Sequence, residues 1–258
     1  MRSLARTIIQ AGSRVGLSPF VRIRRGPGKG LKLSLENASG NYWSGANELP
    51  VQMALTRFLR PGDTFYDVGG NIGFFSLIAA RLVGPTGKVV AVEPVPRNAE
   101  IIRRNAARNG FANVTVLEKA LGAAPGTAAL QVTRHPGGAT LSTTEIPPDA
   151  IGTLSVTVAT LDDLILRGNL GAPRLVKIDV EGTEIEVMKG MTRTLAEVRP
   201  VVLFEVDGPD AQSVDAKFSA IQAFLESRGY RLHPLEKSYE HMAWEVRHTV
   251  ALPNGWQC

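Results

Sequence analysis

The stretch from Thr64 to Glu93 leaves this chain few folds to choose from. A short apolar strand, Thr64 to Val68, runs into a glycine turn, Gly69-Gly70-Asn71-Ile72-Gly73. An apolar helix over Phe74 to Val83 follows and stops at Gly84-Pro85. A second strand, Lys88 to Val92, ends in Glu93-Pro94. Strand, turn, helix, strand is one βαβ unit, and its right-handed crossover sets the turn at the carboxyl edge of a parallel sheet. Glycines there let backbone approach a ligand, and the start of the helix offers unpaired N–H groups.

The spacing is not the dinucleotide fingerprint. Counting from Gly69, that fingerprint needs glycine two and five positions on, where this chain has Asn71 and Phe74. Its glycines follow acid-x-Gly-x-x-x-Gly instead, with Asp67 inside the strand end. Glu93, at the next strand end, suits a bidentate contact to a ribose diol. Asp67 suits an ammonium or a hydroxyl. Adenosine with an amino-acid tail uses both carboxylates, which favours S-adenosylmethionine over NAD.

The remaining chain continues the rhythm. A lead-in helix starts after Glu48 and ends at Pro61-Gly62, and a loop with two aromatics, Asn41 to Gly45, precedes it. Pro96 to Asn109 reads as a helix and Val114 to Leu117 as a third strand. Residues 125–158 break the alternation with two β-like runs around His135-Pro136-Gly137, an inserted hairpin over the pocket. Thr160 caps a helix. Leu175 to Ile178 and Val201 to Phe204 are the fourth and fifth strands, with one helix carrying Ile185 to Leu195 between them. Ser213 caps a last helix before two final strands, Tyr230 to His233 and Trp244 to Leu252.

Composition bounds the rest. A chain of 258 residues that is 44% hydrophobic can bury one full core. Its single cysteine, Cys258, permits neither a disulfide framework nor a cysteine metal site, which fits a reducing, cytoplasmic setting. The net charge is +5, yet the residues before Glu36 carry eight basic side chains and no acid. Basicity therefore belongs to the leader, which argues against a nucleic-acid substrate. The same leader allows weak peripheral contact with an anionic membrane. Residues 1–46 form this leader with a small β element, and 47–258 form the main domain.

Acids recur where strands end: Asp67, Glu93, Asp179 with Glu181, and Glu205. Buried carboxylates cost several kcal/mol without partners, so their recurrence on one edge marks a site. The runs Asp67 to Phe75, Glu93-Pro94, Asn105 with Asn109-Gly110, and Val176 to Gly182 together resemble the FkbM-type methyltransferases. The likeness extends from about Trp43 to Glu205. It implies a class I, Rossmann-like α/β fold: a seven-stranded, mostly parallel sheet with the last strand antiparallel and helices on both faces. It also implies S-adenosylmethionine as cofactor. Gly69, Gly70, Asn71 and Gly73 would approach the methionine moiety with Asp67 at its polar end. Glu93, beside Pro94, would take the ribose hydroxyls, Lys119 and Ala120 would border the adenine, and Glu48 would approach the ammonium.

The reaction such enzymes run, O-methylation of a sugar, glycan or secondary metabolite, draws on alignment and on loss of a hydroxyl proton. Asp179 is the first candidate base, followed by Glu181 and His135, with Lys177 holding a carboxylate in place. Asp179, Glu181 and Glu205 would alternatively form an oxygen-ligand set for Mg²⁺. The other histidines, His233, His241 and His248, read as packing or surface residues. An N- or protein methyltransferase and a non-catalytic binding module on the same fold stay open.

Overall fold

The computed structural model describes residues 20–34, 36, 40–133, 139–141, 150–168, 170–239 and 244–256. His135, His241 and the leader's first 19 residues lie outside them. The chain opens with a hairpin, β1 (Phe20–Arg22) and β2 (Lys32–Ser34), then α1 (Gly40–Ser44) and α2 (Leu49–Phe58). The βαβ unit follows as expected: β3 (Thr64–Val68), α3 (Phe74–Val83) and β4 (Lys88–Val92), and then α4 (Pro96–Asn109) and β5 (Val114–Leu117). After the insert come α5 (Leu161–Gly168), β10 (Leu175–Ile178), α6 (Glu184–Lys189), α7 (Thr192–Glu197) and β11 (Val201–Gly208). The chain ends with α8 (Ala211–Glu226), β12 (Tyr230–Pro234) and β13 (Glu245–Pro253).

Seven strands make one sheet in the order β12-β13-β11-β10-β3-β4-β5, with β13 antiparallel to β11 and β10-β11, β10-β3, β3-β4 and β4-β5 parallel. This is the doubly wound α/β architecture, with β13 as the antiparallel strand. Helices cover both faces, so the central strands are mostly apolar and their residues alternate between two cores. Phe65, Leu175, Leu203 and Val250 face α2 and α3. Tyr66, Val176, Val202 and Ala251 face the side that α6, α7 and α8 cover. Among the described residues no helix is long and apolar enough to cross a membrane.

The insert forms a second sheet, β6 (Ala120–Leu121), β9 (Ala150–Ala159), β7 (Gly126–Thr133) and β8 (Ala139–Leu141), in the order β6-β9-β7-β8. The β1–β2 hairpin belongs to the body of the fold: Ile23, Leu31 and Leu33 are buried in the core under α2 and α3. Asn105 and Asn109 staple it down. Ser34 N–H donates to Asn105 Oδ1 at 2.9 Å and Lys32 N–H to Asn109 Oδ1 at 2.8 Å. Asn105 Nδ2 also donates to the Ile72 carbonyl in the glycine turn, at 2.8 Å.

Four local expectations need correction. The aromatic loop over Asn41 to Gly45 is mostly the short helix α1. The helix expected over Ile185 to Leu195 is two, α6 and α7, meeting at Gly190, where a Cβ would collide with the Gly122 carbonyl. Strand β11 runs past Phe204 to Gly208, since β13 pairs with it along that whole length. The cap of α8 is Asp210, whose carboxylate accepts from Ser213 N–H at 2.8 Å; Ser213 is the donor. Thr160 does cap α5, accepting from Asp163 N–H at 3.1 Å.

Candidate active site

The carboxyl ends of β3, β4 and β10 open onto a cleft lined by Gly69, Asn71, Glu93, Pro94, Lys119, Ala120, Asp179 and Glu181, among others. Leu121 and Leu130 of the inserted sheet form its far wall, so the insert does border the pocket. The turn is fixed from both sides. Gly69 N–H donates to the Val92 carbonyl at 2.9 Å, and Asn71 N–H donates to Glu93 Oε2 at 2.8 Å. Glu93 Oε1 accepts from Val95 N–H at 2.9 Å. The Asn98 side chain bonds the same carboxylate, and the acceptor capacity left over is open to a ligand hydroxyl. Burial pushes the Glu93 carboxyl up to about 7, and the N–H groups of Val95 and Asn71 and the Asn98 side chain restrain the rise.

The glycines serve the fold as much as any ligand. Gly69 sits at φ 82, where a Cβ would run into the Asp179 carbonyl, and Gly73 at φ 83 packs on Ile102. Gly70 likewise faces Ile102 and Ala91, away from the cleft. Two buried acceptors beside the turn have no protein partner: Asp67 Oδ1 and Asn71 Oδ1. The other Asp67 oxygen accepts from Ser76 Oγ at 2.5 Å. Burial raises the Asp67 carboxyl above the ordinary range, against the pull of Lys177 and Ser76. A ligand bearing an ammonium and hydroxyls supplies the donors these oxygens lack, so the residues present fit S-adenosylmethionine.

A second set of ionisable groups lies on one face of the sheet. Strand register pairs Lys177 with Asp67 and Glu205 with His248, and alternation puts all four on the face of Phe65, Leu175, Leu203 and Val250. Lys177 Nζ donates to Asp179 Oδ2 at 2.7 Å. Burial would strip the ammonium of its proton, but Asp179, Asp67 and Glu48 outweigh it and keep Lys177 charged.

His248 is 4% exposed, and its Nε2 lies 2.6 Å from Glu205 Oε2 and 3.2 Å from Glu48 Oε2. Burial disfavours the imidazolium, yet the two carboxylates raise its pKa. Burial also raises Glu205, with Asp179 adding to it. Glu48 goes the other way: burial raises it, and His248, Lys177 and the Tyr239 hydroxyl together hold it below the ordinary value. Glu181, left-handed at φ 56, is pushed up to about 9 by burial and by the charges of Asp179, Asp207, Glu205 and Glu184. It keeps its proton at neutral pH.

The expected cofactor residues thus divide. Gly69, Asn71, Glu93, Pro94, Lys119 and Ala120 line the cleft, and Asp67 lies buried beneath the turn. Glu48 stands apart, with His248 and Glu205. The proposed oxygen set of Asp179, Glu181 and Glu205 does not come together as metal ligands. Asp179 turns to Lys177, while cross-strand pairing draws Glu205 to His248. Among the described residues the one group whose ligand atoms lie within 4.8 Å of one another is Glu48, Glu205 and His248. Sequence reading set His248 aside. Period-two alternation with Val250 does put it on a core face, but nothing in the sequence says which strand lies beside it. Tyr42 also joins this set: burial raises its phenol pKa, and Glu48, Asp179 and Glu205 add to the rise.

With this geometry in hand, the chain can be compared with known proteins. A family model described as the methyltransferase FkbM domain matches residues 67–232. The hexuronic acid methyltransferase AglP of Haloferax volcanii is 30% identical over 164 residues, 64% of this chain and 64% of that protein. The chain therefore spans just under two thirds of that relative's length. The 31-O-demethyl-FK506 methyltransferase FkbM of Streptomyces tacrolimicus is 30% identical over 199 residues, covering 67% of this chain and 74% of its own. Among solved structures, a methyltransferase FkbM from Methylobacillus flagellatus superposes with a TM-score of 0.51 at 17% identity, over 78% of this chain and 50% of that one. At that identity the likeness concerns the fold.

Proposed function

The chain belongs to the FkbM-domain methyltransferase family, and from that premise we propose that it methylates a hydroxyl oxygen of a sugar, glycan or secondary metabolite, with S-adenosylmethionine as donor. The observation that carries this reading is the pair of buried, partnerless acceptors at the turn, Asp67 Oδ1 and Asn71 Oδ1, next to a Glu93 already held by two backbone N–H groups. The relatives add a direction: one is named for a hexuronic acid and one for 31-O-demethyl-FK506.

When bound, S-adenosylmethionine supplies an electrophilic methyl carbon on a sulfonium. The protein's own tasks are then alignment and proton handling. Glu93 would hold the ribose through the acceptor capacity that its N–H and Asn98 partners leave, and Asp67 would take the ammonium end. Asp179 would accept the proton of the acceptor hydroxyl, and the bound donor would supply the methyl group to that oxygen. Lys177 positions Asp179 for that step. Glu181, protonated at neutral pH, acts as a hydrogen-bond donor at the cleft rather than as the base.

The test is a labelled methyl donor incubated with the protein and a panel of hexuronic acids, hexosides and hydroxylated macrolides. A base-stable methyl ether on a hydroxyl is the expected product. Label found only in amines, or only in base-labile esters, overturns the reading, as does donor binding without transfer to any acceptor.

A further inference from the structure

We infer that Glu48, Glu205 and His248 form a binding site for one divalent transition-metal ion, of the Mn²⁺ or Zn²⁺ type, on the sheet face beside the cleft. Three ligand atoms, Glu48 Oε2, Glu205 Oε2 and His248 Nε2, converge from α2's leading edge, β11 and β13, all within 4.8 Å of one another, with Glu48 and His248 buried and Glu205 half-buried.

The arrangement around them is one-sided. His248 Nδ1 lies 3.3 Å from Ser238 Oγ, so its outward nitrogen has a partner. Glu48 Oε1 accepts from the Tyr239 hydroxyl at 2.9 Å and from Asn47 Nδ2 at 3.1 Å. That leaves Nε2 and Oε2 facing inward. Both are buried, and neither has a hydrogen bond of normal geometry, in spite of the short Nε2–oxygen separations. An N–H has one direction, and here it is aimed squarely at neither carboxylate. A cation between the three atoms serves all of them at once.

Glu48 supports the same conclusion from its backbone. It sits in the left-handed region at φ 43, ψ 56, a costly conformation for a residue with a side chain, at the position that points its carboxylate into the cluster. Strain held at a ligand position is common at functional sites. Ser238 Oγ can accept from Nδ1–H, the tautomer that leaves Nε2 free for a metal ion. One imidazole and two carboxylates suit Mn²⁺, Fe²⁺ or Zn²⁺ better than Mg²⁺ or Ca²⁺, which prefer oxygen throughout.

The experiment needs neither donor nor acceptor, so its failure leaves the methyl-transfer reading standing. Full-length protein stripped of metal by chelation is titrated with Mn²⁺ alone, followed by electron paramagnetic resonance, and with Zn²⁺ alone against a chromophoric chelator. One ion per chain is expected, with Mg²⁺ weaker by about tenfold or more. Ser238→Ala, which leaves all three ligands in place, should weaken binding by about tenfold, and Glu205→Gln by more. Circular dichroism reports whether each variant is folded. Absence of stoichiometric Mn²⁺ and Zn²⁺ binding by the wild-type protein overturns the site, and so does binding that neither substitution changes. A ¹⁵N spectrum in which His248 Nε2 keeps its proton at saturating Zn²⁺ overturns it as well.

Discussion

The two halves of the site are built in opposite ways. The half at Glu93 comes from consecutive chain: β3, the turn and the end of β4 lie within one βαβ unit, and backbone N–H groups hold its carboxylate. The half at His248 is assembled from residues 48, 177, 205 and 248, brought together by strand register and held mostly by side chains. A backbone-held site is rigid as soon as its unit forms. A side-chain-held site depends on every charge having its counterpart, so the two halves should fail differently.

The largest effect is expected where the halves touch. Gly69→Ala forces a Cβ into the Asp179 carbonyl from a left-handed backbone position. Neither strand end can yield cheaply, so urea unfolding should show a loss of about 4 kcal/mol or more. Lys177→Met comes next. It leaves Asp179 and the buried Asp67 without their cation, and the expected cost is about 3 kcal/mol by the same measurement. A loss below about 1 kcal/mol would mean that Asp67 is neutral in the folded protein and that the side-chain half is less charge-dependent than its geometry implies.

Binding separates the halves more cleanly. Glu93→Ala removes the acceptor for both ribose hydroxyls and releases the Asn71 N–H, so S-adenosylhomocysteine should bind about a hundredfold more weakly in equilibrium dialysis. Glu205→Gln, in the other half, should shift the same affinity far less. Equal losses from the two substitutions would erase the distinction and make the cluster part of the donor site.

How much of this the sequence disclosed follows the same division. The turn, both flanking strands, α3 and Glu93 were legible because local spacing encodes them: glycine where φ is positive, an acid at a strand end, apolar runs of strand and helix length. Lys119 and Ala120 followed from the same rhythm. His248 was not legible, because its significance lies in standing opposite Glu205 in an antiparallel pair, a relation between residues 43 positions apart that no local pattern records. Glu48 was noticed, but its contacts with His248 and Tyr239 were not, since its left-handed backbone, which sets the direction of its side chain, is invisible in sequence. The need for glycine at 190 was hidden for a similar cause: the Gly122 carbonyl that a Cβ there would meet is far away in the chain.

A pH series isolates Glu93 itself. Its carboxyl, pushed up to about 7 by burial, is mostly protonated in the empty cleft at pH 6. Only the ionised form can accept both ribose hydroxyls without offering a competing donor. Affinity for S-adenosylhomocysteine should therefore rise as pH increases from 5, by up to about tenfold per unit, and level off above pH 7. Stability of the ligand-free protein should move the other way. A folded pKa above the unfolded value gives a contribution that is fully present below about pH 4.5 and is lost as pH rises through 7. Its size for so buried a group is about 3 kcal/mol. Glu93→Gln should flatten both curves together. Opposed slopes that vanish with one substitution assign the titration to this carboxyl, because a group elsewhere on the sheet could tilt stability without touching ribose binding. Two flat curves in the wild-type protein would instead mean that the N–H groups of Asn71 and Val95 already keep Glu93 ionised, and that the backbone-held half is complete before any ligand arrives.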